Sequence, residues 1–346
     1  MREMREMRYG FKNKFATASI GLAVALTAAA CGSSKASSSS ATATNYPAHP
    51  ITMVVPFGAG SQPDVLFRKL AAAAAKSLGQ PIEVEDVAGG ASQPGIEQVM
   101  SATPNGYTIG VASTNLVTVT PLLTASSAVS ASRMAPIAAA FTTPLMIYAG
   151  ANTPYKTFKS VVQAATGSGK SVKVAIDSPE SVIGITLSVL ARETHANLVG
   201  VPLGTGTEVL DVVNGTLPVG ISSVTLAIPY IKSGKLRPLA QIGGAAPLPG
   251  ADTTLLSSQG YNPDPNGLNP TNTQFLFAPK ATPSAVIAKL DSAFKRAITA
   301  KSFESFEEGD GASPDYVSGS AMVALLQTDQ GKAKDLVREF GLKASG

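Results

Sequence analysis

The residues able to do chemistry here are few and of one kind. The chain has two histidines, His49 and His195, and one cysteine, Cys31, in 346 residues. That stock builds neither a Cys/His zinc cage nor a disulfide framework. No Gly-x-Ser-x-Gly elbow marks a nucleophile, so no catalytic residue is assigned and no cofactor or metal is expected. Three short segments stand out instead: Gly58–Asp64, Ala88–Gln93 and Ser113-Thr114-Asn115. Each is small, polar and placed ahead of a helical stretch. The exposed N–H groups and dipole of a helix start attract an anion without any arginine. The same segments serve equally as tight turns, and both readings stay open at this level.

Two nucleotide motifs fail on inspection. Gly58 and Gly60 open a dinucleotide fingerprint, but Pro63 stands at its third glycine. Gly167-Ser168-Gly169-Lys170-Ser171 lacks the leading glycine of a phosphate loop, since Ala164 occupies that position. It reads as a solvated turn. His195 follows an amphipathic helix and reads as a capping or packing residue. His49 lies between prolines and reads as exposed.

The elements that must hold those loops alternate strand and helix. Ile51–Val55, Pro81–Val87, Tyr107–Ala112, Ser171–Ile176, Asn197–Val201, Leu217–Ile221, Leu236–Ile242 and Gln274–Ala278 have strand character. Pro63–Leu78, Pro94–Thr103, Ser181–Thr194, Glu208–Asn214, Pro283–Ala300 and Tyr316–Phe340 have helical character. Pro63 suits a first helical turn and Gly79 a helix stop. The order predicts an α/β fold of mainly parallel sheets flanked by helices. Gly243–Asn272, rich in Pro, Gly and Asn, reads as a long surface loop. Phe303 and Phe306 read as a helix docked on the core, with Glu304, Glu307 and Glu308 on its solvated face.

The N-terminus reads as an address. Arg2, Arg5, Arg8, Lys12 and Lys14 precede the uncharged run Phe15–Ala30, which is 16 residues long. That is short of the roughly 20 needed to span a bilayer and fits an export signal. Ala28-Ala29-Ala30-Cys31 is similar to a bacterial lipobox, with Ala28 where Leu is usual. Residues 1–30 are therefore read as a lipoprotein signal, Cys31 as the acylated residue, and 31–45 as a flexible Ser/Ala/Thr tether. An ordinary signal peptide with an incidental cysteine is the alternative. The repeat Met1-Arg2-Glu3-Met4-Arg5-Glu6-Met7 leaves Met4 and Met7 as alternative starts. Without residues 1–30 the net charge falls from +4 to +1. No basic stripe remains to recommend nucleic acid, and no later stretch is apolar for long enough to span a membrane.

Tyr46-Pro-Ala-His-Pro-Ile-Thr-Met-Val-Val-Pro-Phe57 resembles the opening of the solute receptors of tripartite tricarboxylate transporters, the Bug receptors. Pro56, Phe57, Ala59, Gly60 and Asp64 match that family's Pro-Phe-x-Ala-Gly-Gly-x-Thr-Asp. Leu78–Glu85, Pro104-Asn-Gly-Tyr-Thr108, Ile231-Lys-Ser-Gly-Lys-Leu-Arg-Pro-Leu-Ala240 and Phe277-Ala-Pro-Lys-Ala-Thr-Pro283 resemble further family segments in the same order. The resemblance runs from about residue 46 to 342.

It implies a two-lobed type II periplasmic-binding fold. One lobe would join 46–145 to 276–346 and the other would be 146–275, with crossings near Pro144–Ala149 and Gln274–Pro279. The resemblance further implies a small carboxylate held in the cleft between lobes, membrane transporter subunits as partners, and action as a monomer. The implied ligand-binding residues are Phe57, Gly58, Ala59, Gly60, Ser61, Asp64, Ser92, Gln93, Ser113 and Thr114 in the first lobe. In the second they are Ser178, Ser181, Thr205 and Ser222. Asp64 has two readings, as a complement to its helix start or as a group orienting ligand or water. Leu203, Gly204 and Ser222 replace the family's Tyr, Lys and Asp, and the lost Asp argues against a cationic amine as ligand. A sensor subunit of a membrane kinase and an envelope hydrolase are the rival functions. The sequence supplies no catalytic constellation for the second.

Overall fold

The computed structural model describes residues 45–89, 92–124, 127–167, 169–179, 181–204, 206–244, 247, 253–262, 271–303, 312–339 and 341. The expected signal, the tether up to residue 44 and Cys31 lie outside them, as do Thr205 and Phe306. Residues 41–346 form one compact unit.

The strands are β1 (Ile51–Val55), β2 (Ile82–Asp86), β3 (Thr108–Ser113), β4 (Met134–Thr143), β5 (Leu145–Gly150), β6 (Val172–Ile176), β7 (Leu198–Pro202), β8 (Val219–Ser223), β9 (Leu236–Ile242), β10 (Asn272–Pro279) and β11 (Ser313–Ser318). The helices are α1 (Gln62–Leu78), α2 (Gln93–Met100), α3 (Thr114–Thr118), α4 (Thr120–Leu123), α5 (Phe158–Ala165), α6 (Val182–Thr194), α7 (Thr207–Val213), α8 (Val224–Lys232), α9 (Ser284–Ile298) and α10 (Gly319–Glu339). One sheet runs β11-β4-β10-β3-β1-β2 and the other β7-β6-β8-β5-β9.

Both sheets are mixed. The strands joined through helices, β2-β1-β3 and β7-β6-β8, pair in parallel as the βαβ rhythm requires. The long strands β4, β5, β9, β10 and β11 pair antiparallel. The expectation of mainly parallel sheets thus holds for the halves that carry loops into helices. The remaining halves connect the lobes.

Period-two burial gives each sheet two apolar faces. In β10, Leu276 and Ala278 face α1 and α9, where Leu66, Phe67, Leu70, Leu290 and Phe294 pack. Phe275 and Phe277 face α2 and α10, against Ile96, Val99, Met322 and Leu326. In β5, Leu145 and Ile147 meet α5 and α6, and Met146 and Tyr148 meet α7 and α8.

Only Pro144 separates β4 from β5, so the chain changes sheet within one residue. It re-enters the first sheet at Asn272, ahead of the expected boundary at 276, and all of β10 pairs there. Thr143 lies opposite Asn272 and Leu145 opposite Ile242, so both connections run side by side. Gly243 has φ +81°, and a Cβ on it would lie 1.7 Å from the Thr271 methyl, so the returning chain presses directly against the outgoing one.

Two segments differ from the sequence reading. Tyr316 begins no helix: it lies in β11, an edge strand on β4, and α10 starts at Gly319. Within Gly243–Asn272, Leu256 is fully buried and Tyr261 packs edge-on against Phe158 at 5.0 Å. This stretch therefore covers the second core.

Phe67 is fully buried and packs against Phe141 with ring centroids 5.2 Å apart. Phe67→Ala is expected to cost about 3–5 kcal/mol, read as a lower urea midpoint with an unchanged slope.

Candidate functional site

Parallel pairing puts the carboxyl ends of β1, β2 and β3 on one edge of the first sheet, and those of β6, β7 and β8 on one edge of the second. Each edge adjoins the Pro144 crossing. Ser113 at the end of β3 lies opposite Gln274, and Asn115 donates to Asn272 at 3.1 Å. Ser223 at the end of β8 lies opposite Leu145, and the Val224 N–H donates to the Pro144 carbonyl at 3.0 Å. The loops of the two sheets thus border one crossing. Open α/β sheets bind ligands at such carboxyl edges.

In the first sheet the loop after β1 turns at Gly58, whose carbonyl accepts from the Ser61 N–H. Gly58, Ala59 and Gly60 are exposed and Phe57 is half-buried against the core. Ser61 begins α1 without a side-chain cap, and its buried hydroxyl has no hydrogen-bond partner among the described residues. Asp64 is committed elsewhere. It is buried, accepts from the Gly60 N–H at 2.7 Å and pairs with Arg68 at 2.6 Å. Arg68 also bridges to Asp86. Burial raises the Asp86 carboxyl, with the nearby Asp64 charge adding to the effect and Arg68 opposing it. Asp64 therefore shapes the loop from behind.

Ser92 ties the second loop to the first. Its hydroxyl donates to the Pro56 carbonyl at 2.8 Å, and its backbone is left-handed at φ 66°. Gln93 follows as the half-buried first residue of α2. Ser113 and Thr114 are buried at the start of α3, and the Thr114 hydroxyl has no partner among the described residues.

In the second sheet, Ser178–Ser181 wrap the start of α6. The Ser181 hydroxyl accepts from the N–H groups of Ile183 and Gly184 at 3.1 Å each, and its one hydrogen is directed to Asp177, with the Ser178 carbonyl also within reach at 2.9 Å. It is an N-cap, worth about 1 kcal/mol. Gly184 allows the wrap: a Cβ there would lie 2.4 Å from the Ser178 carbonyl oxygen and 2.5 Å from that of Pro179. Ser222 is fully buried beside Tyr148, whose ring lies over Gly220.

Three groups here were not singled out from sequence as site residues: Asp177, Tyr148 and Glu208. Asp177 directly follows β6, and burial raises its carboxyl against the opposing hydrogen bonds from Ser181 and Ser178. Burial also pushes the Tyr148 hydroxyl well above the usual phenol range. Glu208, in the first turn of α7, is fully buried, and neither carboxyl oxygen has a well-formed hydrogen bond among the described residues. Burial, with the Asp177 charge adding to it, raises its pKa to about 7; the backbone N–H groups of Glu208 and Gly206 oppose the shift. An acid at a helix start ordinarily signals only a dipole partner, so the sequence carried no sign of this burial.

His195 closes α6 in the left-handed conformation, and His49 stacks on Tyr107 at 3.6 Å. Neither adjoins the site. Among the described residues no group of three His, Cys, Asp or Glu side chains is placed to hold a metal. No described helix is long and apolar enough to cross a membrane.

Two lobes joined by adjacent crossings, with loop sets at the carboxyl edges, define a solute-binding receptor. The sequence profile described as "Tripartite tricarboxylate transporter family receptor" matches residues 66–342, and the chain belongs to that family. A UPF0065 protein of Bordetella pertussis is 27% identical over 310 residues, covering 88% of this chain and 94% of that protein. BugT of the same organism is 24% identical, over 87% of this chain and 92% of its own length. Among solved structures, the periplasmic binding protein BugD superposes with TM-score 0.71 at 23% identity, covering 87% of this chain and 100% of its own. MatC of Rhodopseudomonas palustris with bound malate does so with TM-score 0.66 at 26% identity, covering 84% and 100%. The family consists of receptors, so this chain is a binder and not an enzyme.

Gly184→Ala is expected to cost about 1–3 kcal/mol by overpacking and to displace the 178–181 loop, read by chemical denaturation and by amide exchange at Ile183. Glu208 binds its proton more tightly in the folded chain than the ordinary carboxyl does when unfolded. Stability therefore falls as pH rises from about 4.5 to about 7, by up to about 3 kcal/mol. Glu208→Gln should remove most of that fall, raising stability at pH 8 more than at pH 5 in urea titrations.

Proposed function

We infer that this chain is the lipid-anchored extracytoplasmic receptor of a tripartite tricarboxylate-type transporter. It captures a small carboxylate between its lobes and delivers it to the membrane subunits. The observation that carries this reading is where buried hydrogen-bonding groups go unpartnered. The Ser61 and Thr114 hydroxyls, both able to donate, collect at the carboxyl edge of the first sheet. Donors left over at one edge, beside the helix starts of α1 and α2, suit a carboxylate. The bound malate of MatC supports that class.

In this reading the carboxylate meets the loop Phe57–Ser61, with Ser92, Gln93, Ser113 and Thr114 beside it. Ser178, Ser181, Thr205 and Ser222 serve the far end of the ligand. Asp64 holds the first loop in shape. The lobes hinge at Pro144 and at the return into β10, and Cys31 carries the lipid, with the segment that follows as tether.

Thermal shifts across a panel of mono-, di- and tricarboxylates test the binding. At least one member should raise Tm progressively with concentration, and Thr114→Val should weaken that ligand about tenfold. A panel without any shift overturns the reading. Intact mass of the protein from its own membranes should show acylation at Cys31, lost in Cys31→Ala.

A further inference from the structure

Helix α6 is apolar on two sides. Ile183, Leu187 and Leu190 recur every three or four residues and pack into the core of the second sheet. Ile185 and Val189 stand about 200° around the axis from that stripe, on the side where a helix covering a sheet ordinarily meets water. They are nonetheless 5% and 3% exposed. Their cover comes from the first lobe: Val119 and Leu123, where α3 and α4 end, and Ala333 and Leu336 on the last turns of α10. One turn further along the same side, Arg192 pairs with Glu339 of α10 at 2.6 Å. The contact is close to both halves of the site. The Ile185 N–H donates to the Ser181 carbonyl, and the Val119 N–H to the carbonyl of Asn115, the neighbour of Thr114, each at 3.0 Å. Each wall of the contact thus lies one helical turn behind a loop at the carboxyl edge of its own sheet.

We propose that this contact is a latch: it holds the lobes together before a solute arrives and slows the solute's release afterwards. A bend at the Pro144 crossing that parts the two loop sets also parts the walls one turn behind them. Ile185 and Val189 then return to water together with the apolar surface that covered them, and the hydrophobic effect opposes that exposure. The apolar part outweighs the ion pair. Arg192 and Glu339 are 55% and 40% exposed, and a pair so placed contributes little. The latch acts on the lobes and not on the solute, so it stands or falls apart from the carboxylate reading.

Double electron–electron resonance tests this, with spin labels at Ala72→Cys on α1 and Lys159→Cys on α5, both exposed positions, in a Cys31→Ala chain. Without solute one distance should dominate, and Val189→Ala should raise the share of other distances about tenfold. The same variant should bind whichever carboxylate the panel identifies about tenfold more weakly, through faster release. Glu339→Arg, at the surface, covers the case in which Val189→Ala does not fold. It should act in the same direction about threefold, and Arg192→Glu in the same chain should restore the original distance. A merely structural contact would lower the denaturation midpoint and leave distances and release unchanged. No dominant distance in the unlatched-free parent chain, or an unchanged distribution in both variants, overturns the proposal. Tighter binding in Val189→Ala overturns it in favour of a contact made when the lobes stand apart. If no carboxylate binds, the carboxylate reading fails, and the distances alone decide the latch.

Discussion

Everything about this receptor depends on a chain that changes sheet in one residue. Pro144 has no N–H to give to a ladder and fixes its own φ, so it sits where one strand stops and the next begins. Because β10 returns alongside, the two lobes are held by two adjacent strand connections, with Gly243 against Thr271. Two neighbouring links resist twisting and shear far better than one, while leaving a bend about the line that joins them. The site borders that line, because the parallel halves of both sheets end there.

The edges on either side differ in chemistry. The first presents glycine-rich backbone, helix starts and uncommitted hydroxyls, with its acid, Asp64, already neutralised by Arg68 and used to hold Gly60. The second has a fully buried acid, Glu208, and a half-buried one, Asp177, with no buried Lys or Arg among the described residues. The serine at position 222 therefore does not leave the second lobe without acid character. Glu208 on α7 and Asp177 after β6 supply it from other elements.

Much of this was legible in the sequence. The helix stop at Gly79 follows from glycine's backbone freedom, and the structure repeats it to the residue, while the start read at Ser181 falls one residue later, with Ser181 as the N-cap. The parallel strands were readable because each is a short apolar run bounded by turn residues. The strands β4 and β5 were not: Met134–Gly150 is one long apolar stretch, and only the sheets themselves show that it divides at Pro144. β11 was missed because Ser313–Ser318 carries Pro and Asp and pairs only at an edge. In the site, small polar loops announced themselves by type and spacing. Glu208 did not, since its burial is decided by β5, β6, β8 and α8 packing on α7.

Helix α6 joins two distant regions. Its first turn is wrapped by Ser178–Ser181. Its outer side, with Ile185 and Val189, packs on Val119, Leu123, Ala333 and Leu336 of the first lobe, and Arg192 near its end pairs with Glu339 at 2.6 Å. Thirteen residues make a rod of about 20 Å. A rod of that length, wrapped at one end and packed along its side on α10, ties the second lobe to the first away from Pro144, so any bend at the crossing must also move these contacts.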